Sequence, residues 1–259
     1  MSMHVLTKSK SIAGSGRETT NVAGPDATED QTWLQARRHA DLAAAGPTRN
    51  WLFEAGDELF RGIYTRAATG FTNEVLAVCS AISGEGRTTV GVGMAVTLAQ
   101  DFPLRRVLLV ETDLERAVLA QDFGVEASPG LLDCLVDDEP LQAACRRTYL
   151  ENLHIVPSGS RESIPGRPLR SSQMAAVVED MRQSYDLVIL DLPPILVNSD
   201  SVLLTDLADG MIYVVRAGVT PVTLVNRALE QLEESKLRGV VLNGTHTSIP
   251  GWLARLVGL

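Results

Sequence analysis

A chain of 259 residues is long enough to bury a full core, in one large or two small domains. Its 45% hydrophobic and 21% charged content is ordinary for a soluble globular protein. A formal net charge of -9 argues against a nucleic-acid surface, which rests on clustered Lys and Arg. No apolar run approaches the roughly 20 residues that span a bilayer, and residues 1–20 lack the apolar segment of a secretory signal.

Residues 1–30 are polar and read as a flexible tail. Residues 31–45 have helical spacing through Trp33, Leu34, Ala36 and Leu42, and Gly46-Pro47 ends them. A second helix is expected over about 51–66, with Leu59, Phe60 and Ile63 on or near one face. Its Glu58 and Arg61 form a candidate partner surface. Val75 to Cys79 is a short apolar strand, followed by the turn Ser80-Ala81-Ile82-Ser83-Gly84-Glu85-Gly86-Arg87-Thr88-Thr89 and an apolar helix through Leu98. Strand, glycine-rich loop and helix in that order is the context of a phosphate loop: backbone N–H groups point inward and the helix presents its positive end.

Buried strands are then expected at Arg105–Glu111, Leu153–Pro157, Asp186–Leu192, Met211–Arg216 and Val240–Asn243, from their continuous apolar runs. Two short helices fall within 130–147 and one near 171–184. Another is expected over Thr220–Lys236, with Thr220 as its cap and Pro221 in its first position. The apolar stretch Ser248–Leu259 closes the chain. Cys79, Cys134 and Cys145 show no metal-type spacing and read as free thiols in a reducing compartment. The expected fold is α/β, a mainly parallel sheet with helices on both faces. The expected division is a tail over 1–30, a helical segment over 31–66, a nucleotide-binding domain over 67–247 and a short tail over 248–259.

Ligands of such sheets bind beyond the carboxyl ends of the strands. A nucleoside triphosphate needs backbone donors, a hydroxyl and carboxylates for Mg²⁺, and a positive group on its outer phosphates. Gly84, Glu85, Gly86, Arg87, Thr88 and Thr89 supply the loop, and Thr88, Asp113 and Asp191 are candidate metal holders. Asn243 reads equally as a strand-ending turn residue or as a group that contacts the base. Glu115 reads as a solvated loop acid.

Together these residues resemble the bacterial tyrosine kinases of exopolysaccharide and capsule synthesis. The loop from Ser80 to Thr89 is similar to that family's S-A-x-P-G-E-G-K-[ST]-T. Glu111-Thr112-Asp113-Leu114 is similar to its second motif, D-x-D-x-R, and Val188–Pro194 matches its apolar-apolar-apolar-D-x-P-P. Glu58-Leu59-Phe60-Arg61 resembles its E-x-x-R segment, which packs subunits into a ring. The likeness covers about residues 55–245. It implies a P-loop NTPase fold related to ParA and MinD, with ATP and Mg²⁺ as cofactors and catalytic parts for Glu111, Asp113 and Asp191, Glu111 as the base. It further implies a cytoplasmic chain held at the inner face of the membrane by a polysaccharide co-polymerase, or chain-length regulator. Homo-oligomers would form through the Glu58 and Arg61 helix. The alternative is a ParA/MinD-like switch ATPase acting on a partner or membrane site. Those relatives carry an extra lysine where this chain has Ile82, which favours the kinase branch.

Departures from the pattern imply weakened kinase activity or none. Arg87 stands for the loop lysine, Glu111 for the first acid of the second motif, Ser83 for proline, and Tyr64 for a second ring-packing arginine. Lysine occurs only at Lys8, Lys10 and Lys236. Arg is not interchangeable with Lys at a tight phosphate site, because its planar fork is bulkier than an ammonium. The family's terminal tyrosine cluster is missing: the only tyrosines are Tyr64, Tyr149, Tyr185 and Tyr213.

Overall fold

The computed structural model describes residues 2–6, 57–67, 72–159 and 167–245. The expected helix over 31–45, the start of the one over 51–66 and the closing stretch 248–259 lie outside the described residues.

In chain order the strands are β1 (Ser2–Leu6), β2 (Glu74–Ser80), β3 (Val107–Glu111), β4 (Arg146–Arg147), β5 (Leu153–Val156), β6 (Leu187–Asp191), β7 (Gly210–Arg216) and β8 (Leu237–Thr245). The α-helices are α1 (Asp57–Ala67), α2 (Arg87–Asp101), α3 (Leu119–Phe123), α4 (Leu131–Val136), α5 (Leu141–Ala144), α6 (Ser172–Ser184), α7 (Asp200–Asp206) and α8 (Val222–Leu229). One 8-stranded sheet runs β1-β8-β7-β2-β6-β3-β5-β4. The pairings from β8 to β5 are parallel, and the two edge strands are antiparallel. The mainly parallel α/β fold expected from the sequence is therefore the observed one.

β2, β3 and β6 are buried along their whole length, which is why they read as unbroken apolar runs. Their side chains alternate between two cores. Val75, Ala77 and Cys79 face one with Leu108, Val188, Leu131 and Met174. Leu76 and Val78 face the other with Leu109, Ile189, Phe60, Ile63 and Met94. Burying each side chain of this size stabilises the fold by roughly 1.5–3 kcal/mol. Gly93 lets α1 close on α2: a Cβ there would meet the Phe60 ring at 2.2 Å.

Three local expectations change. Ser2–Leu6, read as polar tail, forms β1 against β8, with Val5 opposite Val241. An extended run there occupies edge N–H and C=O groups that would otherwise be open. The helix expected over 220–236 spans only Val222–Leu229, with a single 3₁₀ turn at Glu234–Lys236. Thr220 does not cap it, because its hydroxyl goes to Glu85 instead. The short edge strand β4 and the five-residue helix α3 carry too little periodicity to be read from the sequence.

Candidate functional site

The carboxyl ends of β2, β3, β6, β7 and β8 meet on one edge of the sheet, and the loop after β2 crosses that edge. Gly84 (φ 82) and Gly86 (φ 93) hold left-handed conformations, which let the loop turn its N–H groups inward. Gly86 also packs so tightly on β8 that a Cβ would lie 2.0 Å from Asn243 Nδ2. α2 then starts at Arg87, with no acid in its first turn, so its positive end faces the loop.

Glu85 is buried, and its carboxylate braces the loop. Oε2 accepts from Ile82 N at 2.8 Å, and Oε1 accepts from the Thr220 hydroxyl at 2.6 Å and from Arg216 N at 3.4 Å. Its backbone carbonyl accepts from Asn243 Nδ2 at 2.8 Å. Thr220 and Arg216 were not foreseen: Thr220 carried a helix-cap signal that hid its tie to the loop. Asn243 therefore holds the loop through its amide nitrogen, while its Oδ1 is buried with no partner among the described residues.

Thr88 donates its hydroxyl to Asp191 Oδ2 at 2.6 Å. Thr89 follows in the same first turn, half-buried. Asp191 is 2% exposed, and its Oδ1 has no partner among the described residues. Burial pushes its carboxyl up to about 7, opposed by the Thr88 hydroxyl and the Arg87 charge and reinforced by Glu111 and Asp113. Arg87 Nη2 donates to Asp113 Oδ2 at 3.1 Å, and Arg87 Nη1 is buried and unpartnered among the described residues. The structure thus brings Arg87, Thr88, Asp113 and Asp191 together, but with Asp113 already bound to Arg87.

Glu111, expected as the base, is held by the backbone around it. Its Oε1 accepts from the N–H groups of Val118 at 2.5 Å and Leu119 at 2.9 Å, and its Oε2 from Ser158 N at 3.1 Å. Three backbone donors occupy both oxygens of a side chain only 1% exposed, so it is built as a brace. Arg61, expected on a partner surface, also has partners within the chain. Arg61 donates twice to Asp101, Nε at 2.6 Å and Nη2 at 2.8 Å, and the Tyr64 hydroxyl donates to the same carboxylate. The arginine is engaged inside its own chain; the side chain of Glu58 lies outside the described residues.

The donor set fits a hydrated divalent cation with phosphate: one hydroxyl, and a buried carboxylate oxygen and a guanidinium nitrogen that have no partner among the described residues. Among the described residues no three acids, histidines or cysteines are grouped so as to hold a metal ion by themselves. Past Asp113, a cavity of about 360 Å³ opens between Leu114, Glu115, Arg167, Leu169, Val197 and Asp200.

Comparison with known proteins finds relatives of the whole domain. The AAA domain family model (AAA_31) matches residues 73–236. Over 198 residues the chain is 30% identical to the tyrosine-protein kinase CpsD of Streptococcus agalactiae serotype III (strain NEM316), covering 74% of this chain and 84% of that one. The crystal structure of the VpsO kinase domain superposes with a TM-score of 0.61 at 26% identity, covering 83% of this chain and 99% of that one. The septum site-determining protein MinD of Pyrococcus horikoshii OT3, complexed with Mg-ADP, gives 0.57 at 25% identity, covering 71% of this chain and 76% of that one.

Proposed function

The chain belongs to the bacterial tyrosine-kinase family of AAA-type proteins, and from that premise we propose that it is an Mg-ATP-binding regulator of exopolysaccharide or capsule synthesis or export. It would act beside a membrane polysaccharide co-polymerase that recruits this cytoplasmic chain to the inner face of the membrane. No helix among the described residues is long and apolar enough to cross a membrane.

The observation that carries the reading is the pair of orphaned buried atoms at the start of α2. Among the described residues Arg87 Nη1 has no acceptor and Asp191 Oδ1 has no donor, while Thr88 donates to the other oxygen of Asp191. Buried polar atoms without partners are costly unless a ligand completes them. Phosphate would take Arg87 and the loop N–H groups of Gly84 to Thr89. The cation would sit on Thr88 and Asp191, with Asp113 joining once Arg87 leaves it. Bound ATP supplies the transferable phosphoryl group; the chain's own residues position it and neutralise its charge.

Phosphotransfer is weakened in this reading. Arg87 is turned to Asp113, and both Glu111 oxygens accept from backbone N–H groups. Displacing the reacting phosphate by about 1 Å costs roughly a hundredfold in rate. The acceptor tyrosine would belong to another polypeptide: Tyr64, Tyr185 and Tyr213 are 2%, 8% and 0% exposed, and Tyr149 is half-buried. A switch ATPase remains the second reading, favoured by the likeness to MinD with Mg-ADP.

The test incubates the purified chain with Mg²⁺ and radiolabelled ATP, with and without the cytoplasmic segments of the co-polymerase. Label on a tyrosine of the partner supports a kinase. ATP hydrolysis without protein labelling favours the switch ATPase, and no nucleotide binding under any condition overturns both.

A further inference from the structure

We propose that the buried Arg87–Asp113 ion pair interlocks the two parts of the ligand, so that phosphate and divalent cation each bind poorly without the other. The proposal rests on the nucleotide reading of the site and concerns two side chains at the mouth of the loop.

The two partners are nearly closed off from water, with side chains 8% and 11% exposed. A pair buried to that degree has given up most of its hydration, and each charge is compensated in part by the other. Arg87 is the first residue of α2, at the positive end where phosphate would sit. Its Nη2 is committed to Asp113, and its Nη1 has no partner among the described residues. Moving the guanidinium fully onto phosphate breaks the bond to Asp113. The released carboxylate then lies near Asp191, which already feels the negative charges of Asp113 and Glu111. Two buried acids without a cation are unfavourable. A divalent cation on Asp113 and Asp191 removes that cost.

The reverse order meets the same lock. A cation that arrives alone finds Asp113 already neutralised and the Arg87 charge beside it. Phosphate draws Arg87 away and exposes the acid. Each ligand thus removes the obstacle to the other, a coupling that is reciprocal by thermodynamic necessity. The planar arginine fork sharpens the effect, because its donors are fixed in direction where an ammonium can rotate among acceptors.

Calorimetric titration of the full chain with ADP, in EDTA and in excess MgCl₂, tests the interlock. Wild-type protein is expected to bind ADP at least about thirtyfold more weakly in EDTA, within the usual range of coupling between sites. Asp113→Asn is expected to tighten ADP binding in EDTA about tenfold, by freeing Arg87. Loss of a negative charge alone would also favour an anion, so a double-mutant cycle decides. In an Arg87→Ala background the gain from Asp113→Asn should shrink to the part due to charge alone; a gain of undiminished size there overturns the interlock. Should Arg87→Ala fail to fold, Arg87→Gln completes the same cycle. Wild-type binding of equal strength with and without Mg²⁺ overturns the interlock alone. Absence of ADP binding in both buffers overturns the nucleotide reading together with it.

Discussion

Arg87 and Asp113 are joined by a 3.1 Å ion pair across the mouth of the phosphate loop, 26 residues apart in the chain. The arginine that replaces the loop lysine is thus already engaged by an acid of the second motif. Arg87→Lys should loosen that engagement, since an ammonium makes no directed fork to the carboxylate. ATP turnover, read as ADP production, is expected to rise at least about tenfold, part of the roughly hundredfold that a 1 Å misplacement can cost. Unchanged turnover and affinity would show that the arginine is tolerated as it stands.

Asp191 lends itself to a test in the empty protein. Its carboxyl is raised to about 7 from an ordinary value of 3.8, chiefly by burial. The folded state therefore favours the protonated form. The fold loses stability as pH rises from about 4 through about 7, and the loss is complete above that. Asp191→Asn keeps an acceptor for the Thr88 hydroxyl without the charge. In EDTA its melting temperature should exceed that of the wild type at pH 8, and the gap should close toward pH 4. The same variant should lose Mg-dependent nucleotide binding.

Glu85 ties the phosphate loop to the start of α8 through Ile82, Thr220 and Arg216. Glu85→Ala strips three part-buried donors of their acceptor, at most about 1–3 kcal/mol each before relaxation. A net loss of about 2–4 kcal/mol is expected, seen as a fall of the melting temperature by roughly 5–10 °C. Glu85→Gln keeps one acceptor and should lose less. Equal stability of all three proteins would refute the bracing role.

The four tyrosines yield a third kind of test. Three are buried and Tyr149 is half-buried, so none is presented as a substrate in the folded chain. With labelled ATP and no partner, phosphoamino-acid analysis should find no phosphotyrosine on the native protein. Stoichiometric label on any of the four would contradict that expectation.

Much of the site could be read from the sequence, because its determinants are local. A run such as Val-Ile-Leu-Asp places an acid at a strand end by periodicity alone, and Gly84 and Gly86 mark the turn before α2. The division of the described residues into strands with helices on both faces followed from the same apolar periodicity. What escaped was short or irregular: β1, β4 and α3, whose few residues carry little pattern.

Local pattern over neighbouring residues determined the parallel sheet and the acids at the ends of β3 and β6, through apolar periodicity, and the phosphate loop, through its glycines. Only the tertiary structure decided which partner each charged group takes. Arg87 goes to Asp113, Glu111 to three backbone N–H groups, Glu85 to a hydroxyl 135 residues away, and Arg61 to Asp101. The reason is physical. Hydrophobic burial is non-directional and is written in each segment's own pattern, whereas a hydrogen bond or ion pair needs atoms brought within about 3 Å in the right direction. Where those atoms come from distant parts of the chain, only the folded arrangement selects among the available partners.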